Sequence, residues 1–189
     1  GVDDVLVRDV SATRNRVGVA FRKTTGTTLR GGTYADAAKH GIRIRGHNTD
    51  LTVDEATVTG SGDRGIFVSG SEDVTITNAQ VSGGQHGVFV HQSRNTVVRQ
   101  SRIRDSATGG VFARVTNGTV VRNTHVSGSG VGVHVQESHG EGGHGHDLGP
   151  SAHDEELQPG PATVAGSTIT DVGTRSEERR VGKECIVKC

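Results

Sequence analysis

The sequence predicts an all-β solenoid, a coil of short parallel strands that closes one turn about every 22–24 residues. Three observations lead there. The stretches GIFVSGSEDVTITNAQVSGGQH, GVFVHQSRNTVVRQSRIRDSATG and GVFARVTNGTVVRNTHVSGSGV, within Gly65–Val131, superpose as one repeat. Inside each, apolar residues alternate with period two, the signature of strands whose alternate side chains face opposite ways. Composition agrees: 29 Gly and only 3 Pro in 189 residues, 31% hydrophobic and no Trp or Met. That supply is thin for a wide globular core but suits a narrow coil filled by Val, Ile, Leu and Ala.

Each unit opens on a glycine (Gly65, Gly87, Gly110), runs through a first strand, a polar turn and a second strand, and closes on a lone apolar residue. Flanking units fit the same scheme. Val5–Ala12 supplies the later strands of a first turn, Gly18–His40 the next, and Gly41–Arg64 the third. The last turn opens at Gly132 and resumes at Ala162, which puts an insertion at about 136–161. The inward closing column is Ala12, Tyr34, Val58, Val81, Ile103, Val126 and Ile169. The bend between second and third strands carries Asp9, Gly31, Glu55, Asn78, Gln100, Asn123 and Gly166, residue types that favour a left-handed backbone there.

The repeated G-apolar-x-apolar … V-x-I-x-N-x-x-V pattern, over roughly Val5 to Gly173, resembles the right-handed parallel β-helix proteins of the pectate-lyase-like kind. The resemblance implies a right-handed, single-stranded parallel β-helix over 1–174. It also implies an asparagine ladder at the bend, incomplete here because only Asn78 and Asn123 occupy that column. It fixes no activity, since one fold carries many functions.

Arg175–Cys185 (RSEERRVGKEC) reads as the in-frame translation of a common short-read sequencing adapter, so residues 175–189 are expected to be a non-native or disordered tail. Both cysteines lie there, and the remainder offers no disulfide. Without the tail, 16 basic residues face 18 acidic ones. The abrupt ends read as those of a fragment. Near-neutral charge points to neither nucleic acid nor anionic membrane. This stretch shows no transmembrane run or signal peptide, a secretion signal being expected to lie outside the fragment.

The outward face of the first strand is where chemistry concentrates. One column reads Ala20, Arg43, Phe67, Phe89, Phe112, His134. The next reads Arg22, Arg45, Ser69, His91, Arg114, Gln136. A third, just before each glycine, reads Val17, His40, Arg64, His86, Gly109, Val131. Aromatic faces beside cations, with no acid in these columns, suit an extended ligand bearing carboxylates and flat sugar rings. An acidic, uronate-containing polysaccharide fits, with Arg43, Arg45, Arg64, Phe67, Phe89 and Phe112 as binding residues. The competing reading is a packed ladder whose Arg and His blunt a flat sheet. Glycoside hydrolysis needs two carboxyl groups about 5–9.5 Å apart, which these columns lack. Lyase or C5-epimerase chemistry needs a base and a carboxylate clamp instead. His91 with Arg114 and His134, or His86 with Arg64, would supply them. A non-catalytic adhesin, spike or spacer is the alternative. Either use implies a secreted or cell-surface location.

Family signatures are sparse. The aspartate-proline-histidine-glutamate run of alginate epimerases and the Trp-containing strand motif of pectate lyases are absent. Asn48-Thr49-Asp50 and Gly143-His144-Gly145 match pieces of polygalacturonase motifs, but the first falls in a turn. The insertion holds His139, His144, His146, His153, Asp147, Asp154, Glu155 and Glu156. Its imidazoles would suit zinc and its carboxylates calcium. Gly142–Asp147 resembles a single copy of a calcium-binding nonapeptide, which leaves a calcium cofactor open. The alternative is a solvated, mobile loop. In either case the insertion is placed to fold over the first-strand face.

Overall fold

The structure is a computed structural model, and residues 1–136, 162–172 and 184–187 are described. Three sheets wrap one axis. The first holds Val17–Phe21, His40–Arg45, Arg64–Ser69, His86–His91, Gly109–Arg114 and Val131–Gln136. The second runs from Val2–Asp3 and Leu6–Arg8 through Thr24–Arg30, Thr49–Asp54, Glu72–Thr77, Arg94–Arg99 and Val120–Arg122 to Thr163–Ala165. Three-residue strands form the third, from Ser11–Thr13 to Thr168–Thr170. Pairing between these turns is parallel and in register, and hydrogen-bonded side chains of successive turns stand 22, 23 or 24 residues apart. An antiparallel strand, Glu184–Val187, pairs along Val133 to Gln136 and ends the first sheet. The rest of the 175–189 tail and the insertion beyond Gln136 lie outside the described residues.

The interior is filled by parallel columns of mainly aliphatic side chains, several from each turn. Ile42, Ile44, Leu51, Val53, Val58, Ile66, Val68, Val74 and Ile76 are fully buried. The closing column stacks as the repeat requires, Tyr34 on Val58, Val58 on Val81, Val81 on Ile103 and Ile103 on Val126. The glycine that opens each unit has a steric cause. A Cβ on Gly65, Gly87 or Gly110 would collide with the γ-carbon of Val81, Ile103 or Val126, so the closing side chain occupies the space that glycine leaves.

The bend column is left-handed throughout, with φ between 49° and 65° from Asp9 to Gly166. Three further left-handed columns escape the sequence reading. One follows the first strand (Lys23, Gly46, Gly70, Gln92, Val115), one sits at the entry to the second (Asp4, Gly26, Asp50, Asp73, Asn95, Gly118), and one follows the third (Arg14, Asp36, Gly60, Gly83, Asp105, Gly128). Their function is to turn the chain without breaking its ladder. The amides of Glu55, Asn78 and Gln100 donate to the carbonyls of Thr77, Arg99 and Arg122 one turn on, so these corner amides are paired although the chain turns there.

The side-chain ladder is also placed differently. Asn78 donates to Asp54 (2.9 Å) rather than to another asparagine. The buried ladder sits at the corner after the first strand. There Thr24 donates to Asn48 Oδ1 (3.1 Å), Asn48 Nδ2 donates to Ser71 Oγ (3.1 Å), and the Ser71 amide donates to Ser93 Oγ (3.4 Å). Asn48 is fully buried in this stack, which accounts for it structurally.

Candidate functional site on the first sheet

In-register pairing carries the sequence columns into space. Arg43, Phe67, Phe89, Phe112 and His134 occupy successive rungs of one outward column, and Arg45, Ser69, His91, Arg114 and Gln136 occupy the next. His40, Arg64, His86, Gly109 and Val131 form the flank. Phe89 and Phe112 stack nearly parallel (5.0 Å between centroids, 4°), Phe67 is tilted against Phe89 at 5.9 Å, and His134 meets Phe112 edge-on at 4.5 Å. Aromatic pairs at these separations attract beyond their area burial.

The flank closes over the rings. His86 packs edge-on against both Phe89 and Phe112 at 5.1 Å. The Arg64 guanidinium lies 4.7 Å from the Phe67 centroid and 4.3 Å from that of Phe89, within cation–π range. Phe89 is consequently only 9% exposed, while Phe67 and Phe112 are half-buried. The ladder is thus partly a packed stripe, with its more open contact area at Phe67 and Phe112.

One group at this site escapes the sequence reading. Asp63, outside the three columns, receives a hydrogen bond from Arg64 Nη1 at 2.9 Å and lies 3.9 Å from His40 Nδ1. It anchors the guanidinium over the rings. The clue was its place directly before Arg64, but which face a turn residue reaches depends on the path of the turn. A single carboxylate here leaves the two-carboxylate requirement of glycoside hydrolysis unmet among the described first-strand residues.

Three of the histidines, His40, His86 and His91, are harder to protonate than a free imidazole. Burial pushes His40 down to about 4; Arg64, Arg43 and Lys39 push the same way and Asp63 opposes them. Burial and then Arg64 lower His86, with Asp63 opposing. Burial, Arg114 and Arg64 lower His91. Positive charge on this face therefore belongs to arginine. Arg43, Arg45 and Arg114 have no carboxylate within ion-pair distance among the described residues, unlike Arg64. His91 stands directly beside Arg114 in register, next to a fixed cation.

The fold and this face define a class: parallel β-solenoids presenting an aromatic, arginine-flanked sheet. Residues 40–141 match the right-handed beta helix region family, and the chain belongs to that family. Among solved structures it is similar to the A-module of the mannuronan C-5 epimerase AlgE6 of Azotobacter vinelandii. The identity is 17%, the TM-score 0.60, and the match covers 91% of this chain and 54% of that one. The periplasmic alginate epimerase AlgG is similar at 15% identity and TM-score 0.54, over 87% of this chain and 51% of that one. Tailspike protein 2 of the Escherichia coli O157:H7 bacteriophage CAB120 is similar at 13% identity and TM-score 0.55, over 71% of this chain and 20% of that one. The chain thus spans about half or less of these structures, and at such identities the likeness is one of fold. No curated protein matches the sequence.

Proposed function

We propose that this β-helix binds an acidic, uronate-containing polysaccharide along the outer face of its first sheet. The observation that carries the reading is the continuous outward column Arg43–Phe67–Phe89–Phe112–His134 with Arg45 and Arg114 in the adjacent column. Rungs about 4.8 Å apart give a linear chain repeated contacts, rings for sugar faces and guanidinium groups for carboxylates. That two of the similar structures are named as alginate or mannuronan epimerases, and a third is a phage tailspike, accords with a carbohydrate partner and with work outside the cytoplasm.

For turnover, His91 is the base and Arg114 the carboxylate clamp. Burial, Arg114 and Arg64 lower the His91 pKa, which favours the unprotonated form a base needs, and Arg114 is exposed. The base would take the proton next to the uronate carboxylate, and the electron pair would spread into that carboxylate beside Arg114. Return of a proton to the opposite face gives the C5 epimer; loss of the C4 oxygen gives an unsaturated end. His86 and His134 are more deeply engaged with the rings and serve as its wall.

The experiment is to incubate the protein with polymannuronate, polyguluronate and polygalacturonate, following binding, unsaturated-end absorbance and C5 configuration by NMR. Arg43→Ala, Arg45→Ala and Arg114→Ala together should markedly weaken binding, and unchanged affinity refutes the reading. His91→Ala should bind normally and lose turnover. Binding without any turnover by the parent chain would leave the non-catalytic adhesin or spike, which the burial of Phe89 favours.

A further inference from the structure

Charge along this coil is segregated. Between His86 and Gln136 stand six arginines and a single acid, Asp105, although the whole chain carries 21 basic and 21 acidic residues. Four of the six gather at the corner joining the second and third sheets. Arg99 lies directly beneath Arg122 in the second sheet. Arg102 and Arg104 project from the third, with His125 in register above Arg102. Arg102, Arg104 and Arg122 are exposed and Arg99 is half-buried.

Like charges opposed on neighbouring strands repel, and rungs stand only about 4.8 Å apart. Lower on the same corner the chain avoids this, because Arg30 is met by Asp54 (3.9 Å) and Glu55 (3.6 Å). Arg99, Arg102, Arg104 and Arg122 have no such acid within 4.0 Å among the described residues. A second feature adjoins them. A shallow depression on the third sheet is lined by Thr57, Thr59, Gln80, Ser82, Arg102 and Arg104, hydroxyl and amide groups leading up to the guanidinium pair.

We infer that this corner is a second polyanion-binding surface, on a different side of the coil from the aromatic ladder, and that it takes a linear polysaccharide bearing sulfate or carboxylate groups. An isolated anion gains little at an exposed corner in water, whereas a chain engaging several arginines at once binds by multivalency. Sugar is favoured over nucleic acid because the patch has no Phe, Tyr or Trp for base stacking and its neighbours are hydroxyl and amide donors. This surface does not depend on the first-sheet site.

The test compares the full chain with a corner variant (R99Q/R102Q/R104Q/R122Q) and a first-sheet variant (R43Q/R45Q/R114Q). Probes are dextran sulfate, polygalacturonate, neutral dextran and an oligothymidylate. The corner variant should lose about tenfold or more in affinity for dextran sulfate, polygalacturonate or both, the arms separating sulfate from carboxylate. The first-sheet variant should keep that component, and neutral dextran should not bind. Parent-like binding of both polyanions by the corner variant would overturn the inference, as would preference for the oligothymidylate. Relief of the repulsion predicts that the corner variant melts no lower than the parent; a lower melting temperature would make these arginines structural and also overturn it.

Discussion

At the residue scale the tightest fit is between the opening glycine of each unit and its closing β-branched residue. Gly87→Ala places a methyl group against Ile103 and should cost about 1–3 kcal/mol by overpacking. The double variant Gly87→Ala/Ile103→Ala should cost less than the sum of the two single changes, measurable in urea melts, because the removed γ-carbons vacate the site. Val115 is the reverse case. A β-branched residue at φ 51° is strained, and its column otherwise holds Lys, Gln and Gly. Val115→Asn should raise stability by about 1 kcal/mol. Glycine spacing was plainly legible in the sequence. The three extra left-handed columns were not, because Asp, Asn and Gly at a turn look the same whether the backbone is left-handed or extended.

At the scale of the strand, the first-sheet ladder joins packing and recognition in the same rings. Phe89 is covered by His86, Arg64, Phe67 and Phe112. Phe89→Ala should therefore lower stability by about 3 kcal/mol, whereas the exposed Arg45→Ala should leave it unchanged within about 0.5 kcal/mol. Binding assays on the two would separate the packed part of the stripe from its ligand-facing part. Period-two alternation showed that Phe67, Phe89 and Phe112 share a face. It did not show that Arg64 folds over them, since that depends on Asp63, a turn residue whose direction is set by the corner.

For the whole molecule, pH is the informative variable. Native His40, His86 and His91 all resist protonation, while an unfolded imidazole titrates near 6.5. Below that pH the unfolded chain takes up protons that the native state refuses. Stability should be undiminished above about 6.5 and decline as the pH falls toward about 4. His40 alone, with an 8% exposed side chain, accounts for about 3 kcal/mol of that decline. Urea melts at pH 7 and 4.5 would measure it, and His40→Leu should flatten the slope. If His91 is the base, the acid limb of turnover should likewise lie below 6.5.

Sequence by itself determined the period, the inward columns and the residues sharing each outward face, because a solenoid converts chain separation into height and each side chain's direction follows from strand alternation. Tertiary structure alone decided which polar groups meet across turns. Asn48 joined a buried ladder rather than a reacting site, Asp63 clamped Arg64 onto the rings, burial made His40, His86 and His91 harder to protonate, and four arginines converged on one corner. Those outcomes depend on side-chain reach and desolvation between neighbouring turns, distances of a few ångströms that a one-dimensional repeat does not encode.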